Sequence, residues 1–305
     1  MKNRLGILIS LFSFFCLISL KPLISKNITY LLHFSAPWGV IPYDDNPFLH
    51  LTTDEFVVSQ SIQKLKSFPA NSTKQAHIDP IFTIPKNYDP RYDKCLQEIH
   101  NEGRCKSSYA FAVADTLANR YCLKNRVMLE LSTQQVLSCS KNYGCDGGYL
   151  YKSFEFAERY GIVTEDCLPY SSYNGEVMEC PSTCRSRQPM KPRYRCIGGS
   201  VVDLSNNIIA IKQELIREGP VSMVMIVYED FAYYSKGIYK HVYGHELGYQ
   251  SVRCVGFGYD DTEKEYWICA NSWGTTWGML GWFFIGERVG EIESEAYSCL
   301  PDKPY

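Results

Sequence analysis

The chain has 305 residues, is 45% hydrophobic and carries a formal net charge of -2. That length builds a sizeable core, as one large domain or two small ones, and the near-neutral balance removes any electrostatic case for a nucleic-acid partner. Thirteen cysteines and 23 tyrosines point instead to an aromatic-rich globule of an oxidising compartment.

Lys2 and Arg4 precede an apolar run over residues 5–20, which reads as a secretory signal. The run is short for a membrane span. No small-x-small cleavage site follows it, so an uncleaved signal-anchor is the alternative, and the only membrane association expected. Asn27 and Asn71 open two Asn-x-Ser/Thr sequons, the glycosylation sites that such entry makes available. With Cys16 in the signal, twelve of the thirteen cysteines remain, an even set that normally pairs. Cys180-x3-Cys184 and His241-x3-His245 have ligand-like spacing, but neither has the second pair that a zinc site requires, so no metal is expected.

Residues 21–80 carry Pro37, Pro42, Pro47 and Pro69, no cysteine, and one amphipathic stretch over 56–65. They read as a loosely structured leader or pro-segment with a short helix. From Ile84 the texture turns dense in Cys, Tyr and Gly. Over 107–122, Ala110, Phe111, Ala114, Leu117, Ala118 and Tyr121 fall on one helical stripe of mostly small residues, with Ser107 or Ser108 suited to the N-cap. Further helices are expected over 132–137, 151–160 and 208–218. Short β-branched or aromatic runs over 221–228, 248–258, 266–270 and 281–285 read as strands. A helical first half and a strand-rich second half make an α+β protein of two subdomains.

Several segments carry a resemblance. Residues 84–95 (IPKNYDPRYDKC), 100–111 (HNEGRCKSSYAF), 144–149 (GCDGGY), 217–221 (REGPV), the run 228–243, 270–278 (ANSWGTTWG) and 291–295 (EIESE) resemble, in this order, the papain family of cysteine peptidases, and cathepsin B most closely. The likeness covers about residues 84–298. It implies a papain-like domain over 81–305, with a helical half, a β-barrel-like half and a cleft between them, on a monomer that uses no cofactor.

The family's chemistry needs a thiol whose pKa is lowered by a helix N-terminus and a neighbouring imidazole. An Asn orients that His, and a Gln amide with a backbone N–H stabilises the oxyanion. Aligned on Cys105 and Ala110-Phe111, the nucleophile position holds Ser108, followed by Tyr109, and the oxyanion position holds Glu102. Counted back from Gly256-Phe257-Gly258, the His position holds Gln250, with Tyr249 beside it. The orienting Asn271 and the shielding Trp273 are kept, and Gly147 and Gly148 match the wall of the substrate cleft. An amide has no titratable nitrogen, so Gln250 cannot act as base. Losing an oxyanion donor alone typically costs about 3–4 kcal/mol; an ionised Glu102 would also repel the developing charge, whereas a protonated Glu102 would still donate.

The resemblance therefore implies a pseudopeptidase, similar to the tubulointerstitial nephritis antigen-type relatives of cathepsin B, which binds a peptide or protein in its cleft. It would do so in the secretory pathway, outside the cell or in a lysosome-like compartment. Two alternatives stand beside it: an active peptidase using Ser108 with a displaced base, His245 or His100, and an extracellular structural or adhesive component. The bland roles are an N-cap for Ser108, a surface or salt-bridged carboxylate for Glu102, and a backbone turn for Gly147 and Gly148. The stretch 170–180 is short and lacks histidine, which removes the basis for dipeptidyl-carboxypeptidase action. The family also implies the disulfides Cys95–Cys122, Cys105–Cys145, Cys139–Cys180 and Cys167–Cys184. Cys196–Cys299 is a guess, and Cys254 and Cys269, in apolar strand runs, are expected as buried free thiols.

Overall fold

The computed structural model describes residues 21–60, 74–96, 99–262 and 264–304. The expected signal, the Asn71 sequon and residues 61–65 of the amphipathic stretch lie outside them.

The first half is helical. Helix α3 (Ser108–Asn125) is buried along most of its length, because its stripe of Ala110, Ala114 and Ala118 lets neighbours approach closely. Helices α4 (Thr133–Cys139) and α5 (Leu150–Arg159) pack beside it. Ser132 Oγ caps α4 by accepting the Gln135 N–H at 3.0 Å, a contact typically worth about 1 kcal/mol.

The second half holds α6 (Ile208–Arg217) and the strands β3 (Val202–Asp203), β4 (Val221–Tyr228), β5 (Tyr234–Lys236), β6 (Ile238–Tyr239), β7 (Glu246–Tyr259), β8 (Glu265–Ala270), β9 (Trp282–Gly286) and β10 (Ala296–Ser298). With β2 (Lys74–Gln75) they form one sheet in the order β2-β3-β10-β4-β7-β8-β9-β6. β5 pairs outside it. The order is that of an open sheet, so the barrel-like half does not close into a barrel.

Strand β4 joins the two halves. Its residues are apolar almost without interruption, the pattern of a strand covered on both faces. Val221, Met223, Met225 and Val227 point into a core with Trp267 and Phe283, while Val224 points into the core around α3. Ser222 faces the same way as Val224 and bonds Ala112 O and Thr116 Oγ1, each at 2.9 Å. The period-2 alternation of a strand thus serves two cores at once.

Residues 21–60 are more ordered than their composition suggests. Helix α1 (Lys26–Ser35), strand β1 (Gly39–Val40) and helix α2 (Thr53–Gln60) run over the second half. Leu23, Ile24, Leu32, Trp38, Ile41 and Phe56 are buried in the same core as Trp273 and Trp277. Strand β1 pairs with β5, Trp38 Nε1 donates to Lys240 O at 2.8 Å, and Asn46 Nδ2 donates to Ala232 O at 3.0 Å. The expectation of a loose segment rests on its prolines, which interrupt its apolar residues but do not remove them. Each still finds a site in a core built by distant chain.

Six disulfides close the fold. The four implied pairs are present, as is Cys196–Cys299. Cys180 and Cys184, the metal-like pair, belong to two different bridges. Cys254 and Cys269 are not free thiols: they stand opposite each other across β7 and β8 and are bonded, with Cα atoms 4.0 Å apart. Their apolar surroundings are as expected, but strand register brings the sulfurs together, and register depends on long-range pairing.

Candidate functional site

The N-terminus of α3 is the focus of the molecule's buried polar groups. Glu102, on the loop before the helix, turns its carboxylate back onto that terminus. It accepts the Ser107 N–H at 2.8 Å, and the Ser108 N–H also bonds to it. On its other side it accepts Gln250 Nε2 at 2.7 Å and the Ser272 hydroxyl at 2.8 Å. Four donors thus converge on one carboxylate that is 1% exposed. Burial nevertheless outweighs them and pushes the Glu102 pKa up to about 8. Glu102 is therefore neither a surface carboxylate nor salt-bridged: its oxygens cap α3 by accepting the helix's free N–H groups.

Neither serine caps the helix with its side chain. Ser108 Oγ accepts the N–H of Ser251 on β7 at 3.2 Å. Ser107 Oγ meets the hydroxyl of Tyr170 at 2.7 Å, and that hydroxyl donates to Glu102 O at 2.9 Å. The cap expected of Ser108 is displaced because the longer Glu102 side chain already holds the terminal N–H groups.

Gln250, on β7, is fully buried. Its Nε2 lies 3.0 Å from Asn271 Oδ1 and 3.2 Å from Ser272 Oγ, besides its contact with Glu102. Asn271 follows β8, and its Oδ1 also accepts the Ser272 N–H at 2.9 Å. The structure therefore brings Glu102, Ser108, Gln250 and Asn271 into one network linking the two halves. Trp273 lies over the adjoining core with its ring edge-on to Phe48 and Phe56, each at 5.3 Å, and to Trp277 at 4.9 Å. The first two of these rings come from the stretch expected as a leader.

Neither candidate base joins the network. His100 Nε2 is 3.4 Å from Asp115 Oδ1 and its ring stacks on Phe111. The Asp115 charge raises its pKa to about 8. His245 is exposed in the turn before β7, and its carbonyl accepts the Glu229 N–H. His241, its partner in the metal-like spacing, instead bonds Asp230 at 3.1 Å and stacks on Tyr228.

The glycine wall has two separate physical reasons. Gly147 has φ 98°, a conformation that side chains resist. At Gly148 the constraint is space, since an added Cβ would lie 2.8 Å from ring atoms of Tyr109. Tyr109 is fully buried, and its hydroxyl donates to Gly144 O at 3.1 Å. Tyr249 is half-buried against the core around α3. Ser272 is the member of the network that sequence reasoning missed. Its place beside Asn271 was the available signal.

Among the described residues no helix is long and apolar enough to cross a membrane, and no cluster of His, Cys, Asp and Glu is arranged to hold a metal ion.

Known proteins match this architecture. The family described as Papain family cysteine protease matches residues 84–300. Cathepsin B-like CP1 of Giardia intestinalis is 33% identical over 300 residues, 92% of this chain and 96% of that protein. Cathepsin B-like CP3 of the same organism is 35% identical over 217 residues, 69% of this chain and 72% of that protein. The solved structure of proCathepsin B S9 from Trypanosoma congolense superposes with a TM-score of 0.83 at 27% identity, covering 92% of this chain and all of that one. The chain belongs to the papain family of cysteine proteases, as a cathepsin B-like member.

Proposed function

We propose that this chain is a catalytically silent cathepsin B-like protein that binds a peptide or protein without cutting it. In this reading residues 1–20 are a signal, 21–80 a leader, and 81–305 the papain-like domain. Six disulfides fit an oxidising compartment, and the reading places the protein in the secretory pathway, outside the cell or in a lysosome-like compartment.

The observation that carries the proposal is the Glu102–Gln250 contact of 2.7 Å at the start of α3. Gln250 stands where the family has its base, and an amide neither removes the proton from Ser108 nor supplies the charge that would activate it. Glu102 stands where the family has its oxyanion donor. It occupies the backbone N–H groups of Ser107 and Ser108 with its own oxygens, so a developing oxyanion finds a carboxyl group in its place.

Burial of Gly147 and Gly148 favours a second reading, an extracellular structural or adhesive component whose cleft has no ligand. Secreted protein assayed on a fluorogenic dipeptide-amide library, beside Ser108→Ala, separates the possibilities. Background rates for both, with retention of peptides on the immobilised protein, support silent binding. Background rates without retention support the structural reading. Turnover that Ser108→Ala abolishes would show a serine-dependent peptidase.

A further inference from the structure

Helix α1 presents one face to the core and another to solvent. Leu32 is fully buried, Leu23 and Ile24 just before the helix are buried with it, and Ile28 packs against the same cluster. The Ser25 N–H donates to Tyr233 Oη at 3.0 Å, and Thr29 Oγ1 donates to Ser25 O at 2.9 Å. The helix is thereby held in a fixed rotation about its axis.

On the outer face stand Tyr30, Leu31 and Phe34, which are 70%, 49% and 71% exposed. The Tyr30 and Phe34 rings touch, with centroids 4.8 Å apart. Isolated apolar residues on a surface need no explanation, but a contiguous aromatic stripe on a rigid helix marks a surface that something covers.

The chain itself provides an occupant. Asn27 opens the sequon Asn27-Ile28-Thr29 and is exposed on α1. Asn27, Tyr30, Leu31 and Phe34 are spaced i, i+3, i+4 and i+7, so they share one face of the helix. Long side chains on a helix lean toward its N-terminus, which tilts Tyr30 and Leu31 toward the turn that carries Asn27. At 1.5 Å per residue, Phe34 lies about 10 Å along the axis from Asn27, within reach of a short glycan.

We propose that Asn27 carries an N-linked glycan whose first N-acetylglucosamine units lie along α1 and cover Tyr30, Leu31 and Phe34. The bond forms between the Asn27 side-chain nitrogen and the anomeric carbon of the sugar, delivered from a polyprenyl diphosphate-linked donor, with the diphosphate as leaving group and one amide proton released. The C–H faces of the pyranose rings are apolar and remove the aromatic faces from water, while the hydroxyls keep the outer surface wet. Asn27 thus acts as the attachment point of a shield for this stripe. The proposal rests on passage through the secretory pathway and is independent of the chemistry at Ser108.

The test uses the full chain secreted from eukaryotic cells, with its disulfide count read by mass under non-reducing conditions to establish pathway entry separately. Peptide mapping is expected to find N-acetylglucosamine on the Asn27 peptide, and NMR to find contacts between sugar ring protons and the Tyr30 ring. Asn27→Gln is expected to raise the fluorescence of an apolar dye by about two-fold or more. Adding Tyr30→Ser and Phe34→Ser to that variant should return it to the wild-type level. An unoccupied Asn27 in a secreted, fully disulfide-bonded protein overturns the proposal. So does a glycan whose loss leaves dye binding unchanged. Concentration-dependent dimerisation of the glycosylated protein, or its co-sedimentation with phosphatidylcholine–phosphatidylserine vesicles, lost in either case with Tyr30→Ser and Phe34→Ser, would assign the stripe to another occupant and equally overturn it.

Discussion

At the start of α3 two tendencies oppose each other on one side chain. The helix terminus, Gln250 and Ser272 all offer donors to Glu102, while removal from water disfavours its charge and prevails, with a pKa pushed up to about 8. An acid whose folded pKa exceeds its unfolded value holds its proton more tightly in the folded state. The stability that Glu102 contributes is therefore fully present below about pH 4.5 and is lost as pH rises to about 8. His100, raised by Asp115 from 6.5 to about 8, also loses its contribution as pH rises through that upper value. Glu102→Gln keeps the shape and removes the charge. Its urea midpoint should change less between pH 5 and pH 8 than the wild type's, with the His100 part remaining. Equal pH dependence in the two proteins would show that Glu102 does not titrate in this window. The sequence pointed to Ser108, Glu102 and Gln250 one at a time, through their offsets from Cys105 and from Gly256. That two of the three bond each other could not be read from it, because residues 148 positions apart meet only in the folded chain.

Elements with a clear period were the legible ones. Strand β4 runs over Val221–Tyr228, as its β-branched run indicates, and α3 follows its alanine stripe but continues to Asn125. Arg126, in the left-handed conformation at φ 58°, ends it. Residues 21–60 were less legible, since α1 and β1 pack on a surface that other chain segments build. Phe56 tests this dependence. It is fully buried at the end of the first turn of α2 and packs edge-on against Phe48 and Trp273. Phe56→Ala should cost about 3–5 kcal/mol, measured by urea unfolding, with faster proteolysis of residues 21–60 under native conditions. Unchanged stability and protease resistance would mean that α2 only rests on Trp273.

Across the whole molecule the halves are tied by strand β4 and by the network at Glu102. Of the bridges, Cys196–Cys299 spans 103 residues, whereas Cys254–Cys269, between neighbouring strands of one sheet, spans 15. Chain-entropy reasoning assigns them about 4.7 and about 3 kcal/mol. Paired Cys→Ala replacement should therefore lower stability more at the first bridge than at the second, as read by urea unfolding of each variant. The reverse order would place the weight on packing around β7 and β8 rather than on loop closure. The sequence carried the even set of twelve cysteines that the six bridges use. It did not carry the last bridge, whose partners meet only through the register of two strands.

The account turns on three side chains at one helix terminus, and the most direct test restores them together. Ser108→Cys, Glu102→Gln and Gln250→His would be combined in one protein and assayed on fluorogenic dipeptide amides beside the wild type, with the leader left on and with it cut away. The account predicts a silent wild type in both forms and a triple variant that cuts once the leader is removed. Turnover by the wild type, or a triple variant as silent as its parent, would contradict it.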